Sequence, residues 1–150
     1  MIQFFSNDHR FSFKHPRLIK GWIKDYLTVS GYKVGEVNII FCSDDYLLDI
    51  NKKFLSHDYY TDIITFDYTF NKTLSGELYI SLETVYSNSL EYRQSFEREL
   101  YRVIIHGILH MTGYNDALEN EQIVIHNKED ELLSQLDINK LNQIFLPNGD

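Results

Sequence analysis

His106 and His110 stand four residues apart in the run Ile104-Ile105-His106-Gly107-Ile108-Leu109-His110-Met111-Thr112-Gly113-Tyr114-Asn115-Asp116. On a helix that spacing puts both imidazoles on one face. A glycine at 113 permits the left-handed turn that ends a helix and folds the chain back over its last turn. That turn returns Asp116 toward the two histidines. Two imidazoles and one carboxylate form a legitimate zinc set that leaves a fourth position for water, as catalytic rather than structural sites do. A His-x-x-x-His pair alone is weak evidence, because histidines fill core and surface roles in many helices. The Gly-Tyr-Asn-Asp continuation is what strengthens it. His126 is the alternative third ligand, ranked below Asp116 because it lies well into the next helix. His9, His15 and His57 share no such spacing and read as solvated or hydrogen-bonded side chains.

Compared with three histidines, this set carries one more negative charge. The metal becomes a weaker Lewis acid, and harder ions such as manganese become alternatives to zinc. Zinc peptidases place a glutamate directly after the first histidine as general base. Here that position is Gly107. Peptide hydrolysis of that kind therefore lacks its base, and the small residue lets another element pack close to the helix. The reaction must draw on metal-activated water or on a nucleophile within the substrate, such as the 2′-hydroxyl of RNA.

The elements that must hold these groups follow from periodicity. Ile2–Phe5 is a short strand. Pro16 suits a first helical turn, and Leu18, Ile19, Trp22, Ile23, Tyr26 and Leu27 recur at helical spacing until Gly31. Glu36–Cys42 reads as a strand, and Ser43 caps a helix running through Leu55. Strands follow at Asp62–Phe66 and Gly76–Ser81, separated by a loop holding Asn71, Lys72 and Ser75. Helices are expected over about 82–93, 96–112 and 117–136, with a loosely held tail from Asp137. The pattern predicts one α+β domain over residues 1–150: a small mixed sheet of about four strands covered by about five helices. The metal site sits at the end of a long, mostly buried central helix.

Cys42 is the only cysteine, so no internal disulfide forms and the reducing cytoplasm is the expected compartment. The N-terminal residues show no basic leader, and no stretch approaches the roughly 20 apolar residues of a membrane span. Net charge is −8, which argues against a general nucleic-acid binder. The charge is uneven, however: residues 1–56 carry eight Lys and Arg against six acids, and residues 57–150 carry six against sixteen. A cleft between the halves can be locally positive, although acidic excess also serves solubility alone.

Three segments in order resemble the YbeY-type endoribonucleases, the rRNA maturation factors. They are Asn51-Lys52-Lys53-Phe54-Leu55-Ser56-His57-Asp58-Tyr59-Tyr60-Thr61-Asp62-Ile63-Ile64-Thr65-Phe66, then Gly76-Glu77-Leu78-Tyr79-Ile80-Ser81, then His106–His110 with Gly113-Tyr114. The resemblance implies a metal-dependent endoribonuclease preferring single-stranded RNA. Its family role is in small-subunit ribosomal RNA processing and ribosome quality control, with the ribosome or ribosomal proteins as partners. It makes His106 and His110 metal ligands and puts Asp116 where many members have a third histidine. Leu55 stands where many members have an arginine. Arg102, one turn before His106 and within roughly 40° of it around the helix, is the candidate replacement cation for a scissile phosphate. An ordinary helix-surface ion pair is the competing role. Two other readings remain beside this one: a zinc-dependent peptide or amide hydrolase, and a non-catalytic ribosome-binding factor with a structural metal. Asp62 is a candidate acceptor behind a metal histidine, and an Asp after Thr can equally tie down the local turn. Tyr59, Tyr60 and Tyr68 can stack on bases, with core packing or strand-edge cover favoured. Lys52 and Lys53 read as solvated helix charge.

Overall fold

A computed structural model of the protein describes residues 1–57 and 59–147; Asp58 of the first family-like segment lies outside them. Four strands, β1 (Ile2–Ser6), β2 (Lys33–Cys42), β3 (Ile63–Asp67) and β4 (Thr73–Ser81), form one mixed sheet in the order β1-β2-β4-β3. β2 is parallel to both β1 and β4, and β3 lies antiparallel on the β4 edge. Five helices accompany them: α1 (Pro16–Val29), α2 (Asp44–Leu55), α3 (Leu82–Glu91), α4 (Phe96–Met111) and α5 (Glu119–Leu133). None is long and apolar enough to cross a membrane.

The helix starts follow their caps. Ser43, Ser81 and Ser95 accept hydrogen bonds from the backbone N–H of Tyr46, Thr84 and Arg98, so α2, α3 and α4 each begin on a serine hydroxyl. At α5 the Glu121 carboxylate reaches back to the Leu118 N–H at 3.0 Å. The α1 stripe of Ile19, Trp22, Ile23, Tyr26 and Leu27 is buried, as its spacing requires. Trp22 donates its indole N–H to the Leu132 carbonyl at 2.9 Å, tying α1 to the end of α5.

Burial of α4 on the sheet positions the site. Ten of its sixteen residues are buried. Gly107 is the contact point, since a Cβ there would stand 2.5 Å from Leu78 Cδ2 and 2.8 Å from Ile63 Cδ1. The missing side chain is what lets the helix lie down on β3 and β4. On the other side of the sheet, α2 packs Leu47 and Ile50 against Ile64 and Cys42 in a smaller cluster.

Three expectations need correction. Ser75 belongs to β4, which starts at Thr73. The β3–β4 connection is a tight hairpin in which Asn71 and Lys72 both take positive φ, 50° and 62°. The tail beyond Asp137 is not loose. Leu141 and Gln143 are buried, Tyr101 donates to the Leu141 carbonyl at 2.6 Å, and Gln143 Nε2 donates to the Lys14 carbonyl at 2.6 Å. Phe145 stacks on Phe96 with ring centroids 5.2 Å apart. These partners lie far away in sequence, so no local pattern announces them. Finally, α5 begins at Glu119 and ends at Leu133, shorter than the expected 117–136 at both ends.

Candidate metal centre

α4 ends in the turn its glycine promised. Gly113 has φ 103°, its N–H bonds to the His110 carbonyl at 3.1 Å, and the Tyr114 N–H bonds to the Leu109 carbonyl at 3.1 Å. This paired arrangement satisfies the last helical carbonyls and reverses the chain. The reversal brings Asp116 over the last turn of α4. His106 Nε2 and His110 Nε2 are 3.0 Å apart, and Asp116 Oδ2 lies 3.3 Å from the first and 3.2 Å from the second. Among the described residues these three form a group able to hold a metal ion.

The spacing fits a tetrahedral ion. Zinc bonds of 2.0–2.1 Å at tetrahedral angles set ligand atoms about 3.3–3.4 Å apart, close to the observed triangle. The donor chemistry fits as well. His106 Nδ1 lies 2.5 Å from Glu129 Oε2, and a carboxylate there keeps the proton on Nδ1 and turns the Nε2 lone pair toward the cluster. Two imidazole nitrogens and a carboxylate oxygen facing one another repel unless a proton or a cation lies among them.

Glu129 is the residue that sequence reasoning missed. It is 4% exposed, in the buried stripe of α5 that also holds Ile125, Leu132 and Leu133. A glutamate on an apolar helical face was the available signal. It accepts from His106 on one oxygen and from Arg102 Nη1 on the other at 2.8 Å. Arg102 Nη2 donates to Asp130 at 2.5 Å. The ion pairs of Arg102 are therefore made across to α5, with Glu129 and Asp130. The acceptor behind His106 is Glu129 and not Asp62, although Asp62 is near enough to act on His106 through its charge.

The charges shift as this packing dictates. Burial alone depresses the His106 imidazolium, but the Glu129 hydrogen bond and charge, with Asp116 and Asp62, outweigh it and raise the pKa. Burial also works against the Arg102 cation, and its bonds to Asp130 and Glu129 overcome that. Asp130 is held below the usual carboxylate range by Arg102. Burial raises Asp62 and pushes Glu99 up to about 7, the latter against the nearby Arg102. A cleft of about 690 Å³ opens beside the cluster, lined by Asp62, Arg98, Glu99, Arg102, His126 and Asp130 among others.

His126, the alternative ligand, is 60% exposed and bonds to Arg102 at 3.3 Å, outside the triangle. His57 stacks on Tyr59, and His9 lies 3.8 Å from Glu83. Tyr59, Tyr60 and Tyr68 are 56%, 59% and 62% exposed, which removes core packing as their role.

Residues 1–137 match the family model described as Endoribonuclease YbeY. The chain belongs to this family. It is 49% identical over 118 residues to a protein of Phocaeicola vulgatus named Endoribonuclease YbeY, covering 79% of this chain and 86% of that one. A protein of the same name from Parabacteroides distasonis is 42% identical over 135 residues, covering 90% and 95%. The fold resembles the solution structure of TM1509 from Thermotoga maritima, with a TM-score of 0.65 and 27% identity across 90% of this chain and 88% of that one.

Proposed function

We propose that the chain is a single-domain, metal-dependent endoribonuclease that cuts single-stranded RNA during small-subunit ribosomal RNA maturation and ribosome quality control. The observation that carries the metal dependence is the triangle of His106, His110 and Asp116, whose edges match a tetrahedral ion. RNA as substrate is supported by the names of the relatives. Zinc is the resident ion, with manganese the alternative that the carboxylate allows. The ribosome or its proteins are the partners, and the cytoplasm is the compartment that a lone cysteine favours.

A bound divalent ion would polarise the phosphodiester and stabilise the charge that develops on it. The remaining work falls to side chains of this chain. Glu129 fixes the tautomer of His106. Arg102, held by Glu129 and Asp130, keeps some of its five N–H donors for a phosphate lying in the adjacent cleft. No carboxylate follows His106, and Gly107 faces the sheet, so a glutamate there would point into the core rather than at the site. That weighs against a peptide hydrolase and favours the 2′-hydroxyl of RNA or water as nucleophile.

Labelled single-stranded RNA and casein, each incubated with the protein with and without chelator, separate the readings. RNA cleavage abolished by chelator is expected. Casein loss would support the hydrolase, and RNA binding without cleavage would support the ribosome-binding factor. Arg102→Ala should cut RNA cleavage while His106→Ala abolishes it; an Arg102→Ala enzyme of full activity removes Arg102 from the reaction.

A further inference from the structure

A second concave surface lies between α1 and the start of the sheet, with a volume of about 910 Å³. Its walls carry Arg17, Lys20 and Lys24 from α1 and Lys33 from β2, and among the described residues no acidic side chain lines it. Positions 17, 20 and 24 fall at i, i+3 and i+7, so the three cations form one stripe spread over about 10 Å of helix axis. Among the described residues, no salt bridge pairs any of these four side chains. Lys20 sits 5.9 Å from the ring centre of Phe4, a contact that leaves its charge unneutralised. Lys72 extends the basic surface past the rim, its ammonium 4.5 Å from the ring centre of Tyr32. Glu36 is the nearby acid, and it lies 4.0 Å from the terminal amine.

Four cations with no salt-bridge partner among the described residues, gathered on one groove, run against the charge of the molecule, which is −8 overall. One wall residue of the groove touches the end of the helix that carries the His106–His110 pair. Tyr32, in its wall, lies 3.5 Å through its hydroxyl from the Thr112 carbonyl, and Tyr26 of α1 bonds to the Thr112 hydroxyl at 2.7 Å. Thr112 caps α4 two residues past His110, where the chain turns to deliver Asp116.

We infer that the α1 groove binds the phosphodiester backbone of single-stranded RNA, holding a segment of the strand away from the bond being cut. The inference rests on the endoribonuclease reading for its choice of polyanion. Charge complementarity is the warrant: a row of cations on a flexible strand's path collects phosphates without reading bases. The α1 cations would then set affinity for long RNA, while the cluster on α4 sets the rate at the scissile bond.

The test is Lys20→Gln combined with Lys24→Gln, compared with a Lys53→Gln, Lys140→Gln pair that removes the same charge elsewhere. Binding of a long fluorescent single-stranded RNA is followed by anisotropy across a salt series. Cleavage of a short oligonucleotide is measured in parallel. Losing two phosphate contacts should lower the slope of log affinity against log salt by about 1.4 and weaken binding about 25-fold at 0.1 M salt. The short substrate should be cut at an unchanged rate. Equal losses in both variant pairs, or no loss in either, overturn the groove. Loss of binding to phosphatidylglycerol vesicles with RNA binding intact also overturns it and makes the groove a membrane contact. If the parent protein binds RNA through this groove but never cuts it, the groove stands and the nuclease reading falls.

Discussion

Replacing Glu129 with Gln should weaken metal binding without unfolding the protein. The side chain is 5% exposed, and one oxygen sits 2.5 Å from His106 Nδ1 while the other takes Arg102 Nη1 at 2.8 Å. An amide keeps the shape and one acceptor, but loses the charge that would make His106 a stronger ligand for the proposed ion. Such partners behind a metal histidine contribute about 10- to 100-fold in affinity, or roughly 1.4–2.7 kcal/mol. Arg102 retains Asp130, so the folding cost should stay below the roughly 3–5 kcal/mol of stranding a buried charge outright. Zinc affinity is measured by competition with a chromophoric chelator, and thermal unfolding is followed by circular dichroism. A dissociation constant raised tenfold or more with a largely preserved melting transition supports the role. An unchanged zinc constant beside a lowered melting temperature would refute it, leaving Glu129 as an anchor for Arg102 only.

Two further outcomes follow from packing and burial. Gly107→Ala places a Cβ 2.5 Å from Leu78 Cδ2, and overpacking of that kind costs about 1–3 kcal/mol; a variant at least as stable in urea as the parent shows that α4 can lift from the sheet freely. Glu99 titrates near 7 in the fold against an ordinary value of 4.5, so between those values the folded chain holds a proton that the unfolded chain has released. Stability should therefore fall as pH rises from about 4.5 to 7, by up to about 3 kcal/mol, and Glu99→Gln should flatten that decline. Urea midpoints at pH 5 and pH 8 check it, and an equal decline in both proteins contradicts it.

Legibility in the sequence tracked distance along the chain. His106, His110, Gly113 and Asp116 lie within one helix and one turn, so spacing alone brought them together. The same is true of the α1 stripe and of the Ser43 cap on α2, where side chain and backbone are three residues apart. Glu129 acts on His106 across 23 residues and from another helix, and only its place among Ile125, Leu132 and Leu133 hinted that it was buried. The tail failed for the same reason, since Gln143 finds its partners at Lys14 and Tyr101. At the start of β4, Ser75 read as part of a loop with Asn71 and Lys72, yet Leu74 beside it is fully buried and only Asn71-Lys72 supplies the hairpin turn. Gly107 was legible as a small residue that lets another element pack close to α4, and the structure shows that this element is the sheet, at Leu78 and Ile63.

Elemental analysis of the purified protein and of an Asp116→Ala variant, both after exhaustive dialysis, decides whether His106, His110 and Asp116 hold an ion. One divalent ion per chain in the parent, and a marked loss in the variant, is the predicted result. No ion in the parent even after zinc is supplied, or equal retention when the carboxylate is gone, contradicts the claim.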